Sequence, residues 1–267
     1  MLTASIVIYK TKREMLTTLL DCVKASNCVD KLWVIDNYPM AENAWIKDYL
    51  PFVEYIENEN TGYGHSHNIA IRIAVEIKST YHVILNPDIE FKAGVLSELA
   101  SYLDKNEQAV WVMPKILYPN GELQYLCKKL PNPFNLFLRR FLPAWNWVKK
   151  MDEEFELRYT GYNKEMNVPF LSGCFMFLRV ETIEKHNLYF DNRFFMYCED
   201  LDLSRRFHSV GKTMFYPAVQ IIHNHEKGSY KSKKLLLCHV QSVCKYFNKW
   251  GWIFDKERNN VNKNITI

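Results

Sequence analysis

Three groups of residues carry types and spacings that can do chemistry. The first lies in "VILNPDIEF", Val83 to Phe91, where an apolar, strand-like run passes into Asn86-Pro87-Asp88. Taken alone, this is more simply a turn that ends a strand. Its chemical reading is a hard carboxylate oxygen for Mg²⁺ or Mn²⁺, a metal that also holds two phosphates. Pro87 would fix the turn, and the Asn86 amide would orient a ribose or a water. The second group is Glu199, Asp200 and Asp202 in "MYCEDLDLSRR". Acids at a helix start favour the positive end of its dipole. One of them, Asp200, can instead serve as a general base toward an acceptor hydroxyl. The third is His223 and His225. They alternate in a strand-like run, so only one can face a given site. Each by itself is more simply a core or surface histidine; the sharper idea is that one of them completes an Asp88 metal site.

These groups need a frame that brings them together. "ASIVIY" reads as a buried strand, and "KLWVIDN", "FVEYIEN" and "YHVILN" as three more. Thr11 and Glu14 have the spacing of a capping box before Met15, Leu16, Leu19, Leu20 and Val23. "NTGYGHSHN" reads as a glycine loop, followed by a helix through Ile69, Ile73 and Ile77. "VLSELASYL" after Gly94 is a further helix, and Pro119-Asn120-Gly121 marks a hairpin-like excursion. Leu203, Phe207 and Val210 predict the buried stripe of the helix after Asp200, with Gly211 as its C-cap. Strands that are apolar on both faces and alternate with helices predict a mostly parallel, doubly covered sheet. Ligands bind beyond the carboxyl ends of such strands. Asp36, the loop from Asn60 to Asn68, and Asp88 all follow strand-like runs, so they should meet at one edge.

The totals exclude other classes. The chain has 267 residues, 48% hydrophobic and 24% charged, which suits one α/β unit with a C-terminal extension. A net charge of +4 fits an anionic small ligand or membrane surface and does not argue for nucleic acid. Seven cysteines without a CxxC fit free thiols in a reducing cytoplasm. The N-terminus has no basic region or cleavage site of a signal peptide. The absence of a third glycine after "GYG", of GKS or GKT, and of GxSxG removes the dinucleotide, P-loop and hydrolase-elbow readings.

Taken in order, "VIDN", "NTGYGHSHNIAI", "LNPDIEF" and "FLSGCFMFLRVETIEKHNLYFDNRFFMYCEDLDLSRRFHSVGKTMFYPAVQIIHNHEKGSY" resemble the inverting glycosyltransferase family 2 with the GT-A fold. The resemblance is to its rhamnosyltransferase-like bacterial polysaccharide branch and spans about residues 4 to 247. It implies an α/β, Rossmann-like, mixed and mostly parallel sheet flanked by helices. It implies a GT-A domain over 1–229, with a nucleotide-sugar part at 1–118 and an acceptor part at 119–229, and a helical tail over 230–267. It implies a divalent cofactor, Mn²⁺ or Mg²⁺, held by Asp88 and by His223, with His225 as the alternative. Asp200 matches the family's base, with Glu199 and Gly173 on the acceptor side. Asp36, Tyr9, Asn60, Gly62, Asn68 and Asn86 fall on the donor side. The implied partners are a nucleoside-diphosphate sugar and a saccharide or lipid-diphosphate-linked acceptor of surface polysaccharide (O-antigen or capsule). Two positions depart from the pattern: Lys10 ends the first strand and His67 precedes Asn68, and both are expected at the nucleotide pocket.

Two competing readings remain from other classes. A nucleotide-sugar pyrophosphorylase needs a glycine-rich N-terminal loop, and "VIYKTKREM" has none. The other is a non-catalytic glycan-binding module. Phe134, Leu138, Phe141 and Trp145 recur near helical spacing beside Arg139, Arg140, Lys149 and Lys150, with Pro143 as a break. This is equally an ordinary packed helix pair or a surface for peripheral membrane association at the cytosolic face. Lys231, Lys233 and Lys234 open the tail helix at the wrong end for its dipole, a place that suits anionic lipid or phosphate.

Overall fold

The computed structural model describes residues 1–141, 145–224 and 233–266, the side chains of 138–141 excepted. His225, Pro143 and Lys231, and the side chains of Leu138, Arg139, Arg140 and Phe141, lie outside what is described. Four parallel strands form one half of the main sheet: β1 (Leu2–Ile8), β2 (Lys31–Asp36), β3 (Val53–Glu57) and β4 (Tyr81–Leu85), in the order β3-β2-β1-β4. The sheet continues through β10 (Phe175–Arg179), β6 (Ala109–Leu117), β11 (Lys212–His223) and β5 (Ile89–Phe91), with the short β8 (Met166–Asn167) beside β11, while β7 (Cys127–Lys128) and β9 (Phe170–Leu171) pair apart from it. β10 is antiparallel to both β4 and β6, while β6 and β11 are parallel. The sheet is therefore mixed and mostly parallel, as the sequence predicts.

β1 shows why its strands are apolar on both faces. Ala4, Ile6 and Ile8 join the core that takes in Leu16, Leu19 and Leu20 of α1 (Arg13–Ser26). Val7 on the other face meets Ala70 and Ala74 of α2 (Tyr63–Glu76). Burial of each such side chain stabilises by about 1.5–3 kcal/mol. Thr3 and Ser5 share the α2 face and carry a buried polar chain. The Thr3 hydroxyl meets His82 Nδ1 at 2.9 Å, His82 Nε2 meets the Ser5 hydroxyl at 2.9 Å, and the Ser5 hydroxyl meets His67 Nδ1 at 2.8 Å. Burial holds both imidazoles below their usual range, so they stay neutral.

Several local expectations are corrected. α1 begins at Arg13 behind Lys12, whose side chain makes no cap; Thr11 Oγ1 instead accepts from Tyr9 N at 3.3 Å. The chain from Tyr63 to Asn68 is the first part of α2 and not a loop. The buried stripe of that helix is Ala70, Ile71 and Ala74, with Ile69, Ile73 and Ile77 only partly covered. Val210 lies beyond α7 (Glu199–His208) and is exposed. Ser209 is the C-cap, and Gly211 lies two positions beyond it with its N–H still donating to Phe207 O at 3.1 Å. A Cβ there would stand 2.4 Å from Val110 Cγ1, so close packing against β6 is what requires glycine.

Candidate active site

The carboxyl ends of the strands bring together most of the candidates. Asp88 follows β4, and His223 is the last residue of β11. His223 Nε2 lies 3.4 Å from Asp88 Oδ2. The strand ends are stapled here, because Asn224 N–H donates to Asp88 O at 2.9 Å and the Asn224 amide to Glu90. Gln124 fixes the ring. Its Nε2 donates to His223 O at 2.7 Å and its Oε1 lies 3.0 Å from His223 Nδ1. Nδ1–H donates to that carbonyl oxygen, which leaves Nε2 turned to Asp88. Burial alone would lower the His223 pKa, but Cys174 and Asp88 beside it push it up to about 10. Nothing in the sequence marks Gln124; it sits in the irregular excursion after β6.

Asp200 is in the first turn of α7, beside the turn that leads into β10. Its Oδ2 accepts from Gly173 N–H at 3.0 Å and its Oδ1 from Leu201 N–H at 2.8 Å. A Cβ on Gly173 would lie 2.8 Å from Asp200 Cβ, so the close approach depends on glycine. Burial raises the Asp200 pKa, and the Gly173 and Leu201 amides and the Lys128 charge work against that rise. Glu199 is buried beside it, and burial together with the Asp200 charge pushes its carboxyl up to about 8. Burial holds both carboxyls of the pair up, and the Gly173 and Leu201 N–H donors favour the charged form at Asp200. Asp202, on the same helix, is structural: it accepts from Arg206, Lys249 and Trp250.

Tyr63 joins the two halves. Its hydroxyl lies 2.9 Å from Asn86 Oδ1 and 2.8 Å from Gly173 O, sharing one proton between them. Asn86 N–H in turn donates to Cys174 O at 3.0 Å. Burial raises the Tyr63 phenol well above its usual range, and the charges of Glu199, Cys174, Asp200 and Asp88 add to the rise. One side chain thus stands among the metal-type acid and the base-type pair. The sequence hides it inside "GYG". The flanking glycines serve this contact. Gly62 has φ +106, and a Cβ on it would meet Phe195 O at 2.2 Å; one on Gly64 would meet the Phe190 ring at 2.7 Å.

The donor-side candidates divide. Tyr9 is half exposed at the end of β1, edge-on to Tyr38 at 5.6 Å, with Lys10 Nζ 4.4 Å from the Tyr38 ring centre. Asn60 is exposed on the loop before α2. Asp36 is buried, and both its oxygens are engaged, by Tyr38 N–H, the Asn43 amide and the Tyr55 hydroxyl. Here it organises the loop that presents Tyr38. The Asn68 amide meets the Phe190 main chain, accepting from N–H and donating to C=O at 2.9 Å each. Gly62 packs on the Phe195 main chain. His67 is under the sheet on Ser5, so its departure from the family pattern concerns the core.

Among the described residues no three His, Cys, Asp or Glu side chains converge as a metal cluster. Asp88 and His223 nevertheless fit a divalent ion of the kind that takes one or two protein ligands and completes its shell with substrate phosphates and water, the ion taking the place of the proton on Nε2. A groove of about 420 Å³ lined by Arg179, Lys185 and Lys212 lies at the amino ends of the strands. That is the wrong edge for a ligand in a sheet of this kind.

A family model for glycosyl transferase family 2 matches residues 4–186. The chain belongs to glycosyl transferase family 2. It is a glycosyltransferase. Rhamnosyltransferase WbbL of Escherichia coli (strain K12) is 27% identical over 249 residues, covering 90% of each chain. An N-acetylglucosaminyl-diphospho-decaprenol L-rhamnosyltransferase of Mycobacterium tuberculosis is 25% identical over 178 residues, 62% of this chain and 56% of that one. Among solved structures, S. aureus TarS superposes with a TM-score of 0.59 at 13% identity, over 96% of this chain and 44% of TarS. The mannosyltransferase PcManGT from Pyrobaculum calidifontis, in complex with GDP-Man and Mn²⁺, gives 0.59 at 15% identity, over 92% and 64%. These neighbours have the GT-A fold, and so does this family 2 chain. The match to the family model ends before α7 and β11, so Asp200 and His223 lie outside it.

Proposed function

We propose that this glycosyltransferase moves a sugar, a deoxyhexose such as rhamnose or a hexose, from a nucleoside-diphosphate donor to a glycan or lipid-diphosphate-linked acceptor, with inversion. The observation that carries the reading is the meeting of Asp88 and His223 with Asp200 around the Tyr63 hydroxyl at the carboxyl edge of the sheet. Its place in surface polysaccharide synthesis, O-antigen or capsule, rests on the names of the similar rhamnosyltransferases.

Asp200 takes the proton from the acceptor hydroxyl, whose oxygen attacks the anomeric carbon from the face opposite the diphosphate. The carbon–oxygen bond to the diphosphate breaks, and the nucleoside diphosphate leaves with that electron pair. Asp88 and His223 would hold Mn²⁺ or Mg²⁺, which when bound offsets negative charge on the diphosphate. Asn86 faces the ribose or a water, Tyr9 and Asn60 line the base side, and Glu199 and Gly173 flank the acceptor. Residues 1–118 form the donor part, 119–229 the acceptor part, and 230–267 the tail. The cytosolic membrane face is the site of action, and exposed Phe134, Trp145 and Trp147 suit it. Among the described residues no helix is long and apolar enough to cross a membrane.

A thermal-shift screen of nucleotide sugars with Mn²⁺ tests the donor, since a bound donor stabilises by mass action. Nucleoside diphosphate release that rises on adding a lipid-linked saccharide supports transfer. Failure of every nucleotide sugar to stabilise the protein would overturn the reading.

A further inference from the structure

The turn between α8 (Lys233–Trp250) and α9 (Lys256–Lys263) holds Trp252-Ile253-Phe254. Ile253 is 72% exposed and Phe254 93%. The main chain beneath them is firmly fastened. Gly251 N–H donates to Phe247 O at 2.8 Å. At φ +101 a Cβ on Gly251 would stand 2.9 Å from Phe254 O. Buried Arg258 donates to Ile253 O at 2.9 Å and to Trp252 O at 3.4 Å. The Trp252 ring stacks on Phe137 of α4 (Pro133–Phe141), with 6.4 Å between centres. Turns that face water use Gly, Asn, Asp or Ser. This one is locked from below and leaves two large apolar side chains outside.

The turn is also tied to the helix that carries Asp200. Trp250 Nε1–H donates to Asp202 Oδ1 at 2.8 Å, and Lys249 bridges Asp202 and Asp191. Asp255 receives both ends of the Arg205 guanidinium, at 2.7 and 2.9 Å. Charge is concentrated here as well. Residues 233–266 carry seven Lys and Arg against two acids, a net +5 in a chain whose total is +4. Lys256 and Lys263 are exposed on α9, the helix that leaves the turn, with Glu257 the exposed acid beside them.

We propose that the turn at 252–254 is a docking prong that enters the headgroup region of an anionic bilayer. Apolar tips supply insertion, and surrounding cations supply attraction to anionic lipid. The ties from Trp250 and Asp255 to α7 then hold Asp200 at a set height above the surface, where the sugar of a lipid-linked acceptor stands. That last step rests on the proposed function; the docking itself does not.

Flotation of the full chain with vesicles of phosphatidylcholine, with and without phosphatidylglycerol, tests the prong. The wild type is expected to float with phosphatidylglycerol vesicles and not with phosphatidylcholine alone. Ile253→Ser/Phe254→Ser should weaken binding by more than about tenfold. Val210→Ser, an exposed apolar residue at the amino edge of the sheet, should leave it unchanged. Phe254→Ser alone should bind more weakly with an unaltered melting curve, since that side chain is almost wholly in water. Wild-type protein that stays in solution, or a double variant that floats equally well, overturns the proposal. The readout needs no donor, so a failed transfer assay leaves it standing, and failed flotation leaves transfer to a soluble acceptor standing.

Discussion

Glu199→Gln and Asp200→Asn make the same chemical change one residue apart, and their effects should diverge. Burial and the neighbouring Asp200 charge push Glu199 up to about 8, which favours its protonated form at pH 7. Glutamine is close in shape to that form. Asp200 uses both oxygens on main-chain N–H groups. Asparagine removes the base and turns an amide –NH₂ toward one of those donors, at about 1–3 kcal/mol. Turnover, followed as nucleoside diphosphate release, should fall by about 10²–10⁴ in Asp200→Asn. In Glu199→Gln it should stay within about threefold. The pH dependence of stability gives a second check. A carboxyl whose folded pKa is raised contributes fully below its unfolded value, and that contribution is lost as pH rises through the folded value. Relative to the wild type, Glu199→Gln should therefore gain stability between pH 5 and pH 9. The raised Glu199 pKa sets the sign and the window of that gain, which is on the order of a few kcal/mol. Urea melts at the two pH values measure it. Equal losses of activity in the two variants, or a stability difference that does not grow with pH, would refute the assignment of proton and charge.

Tyr63→Phe removes the hydroxyl between Asn86 and Gly173. It should lower kcat by about 10–100-fold through misplacement of the two loops, with the melting temperature down by only a few degrees. Asp88→Ala should abolish Mn²⁺-dependent donor binding in calorimetry, and retained metal dependence would remove Asp88 from that role. Asp255→Ala leaves buried Arg205 with Glu257 as its remaining carboxylate partner and should destabilise by about 3 kcal/mol in urea melts.

The sheet was legible because its strands need burial on both faces, and β1, β2 and β4 spell that need in consecutive apolar residues. The acids were legible for a different reason. Asp88 and Asp200 stand where a strand ends and a helix begins, and those ends face one edge. Tyr63 and Gln124 were not legible, since each acts through contacts with residues distant in sequence, 110 positions for Tyr63 with Gly173 and 99 for Gln124 with His223. The close approaches at Gly62 and Gly64 were not legible either, since the atoms that meet them belong to Phe195 and Phe190, far along the chain. Asn68, a polar side chain at a helix start, shows its need for a partner and not that the Phe190 main chain meets it.

The place of β10 bears on how the chain is made. β4 pairs with β1 on one side and with β10 on the other, and β10 begins about 90 residues after β4 ends. At about 5–20 residues per second, a ribosome needs roughly 5–20 s to deliver that partner. Through this interval the free edge of β4, apolar on both faces, is a template for any other strand. The nascent first half is therefore the stage at which the chain most needs a chaperone, and a halt in translation between residues 86 and 174 would be the costliest place to pause.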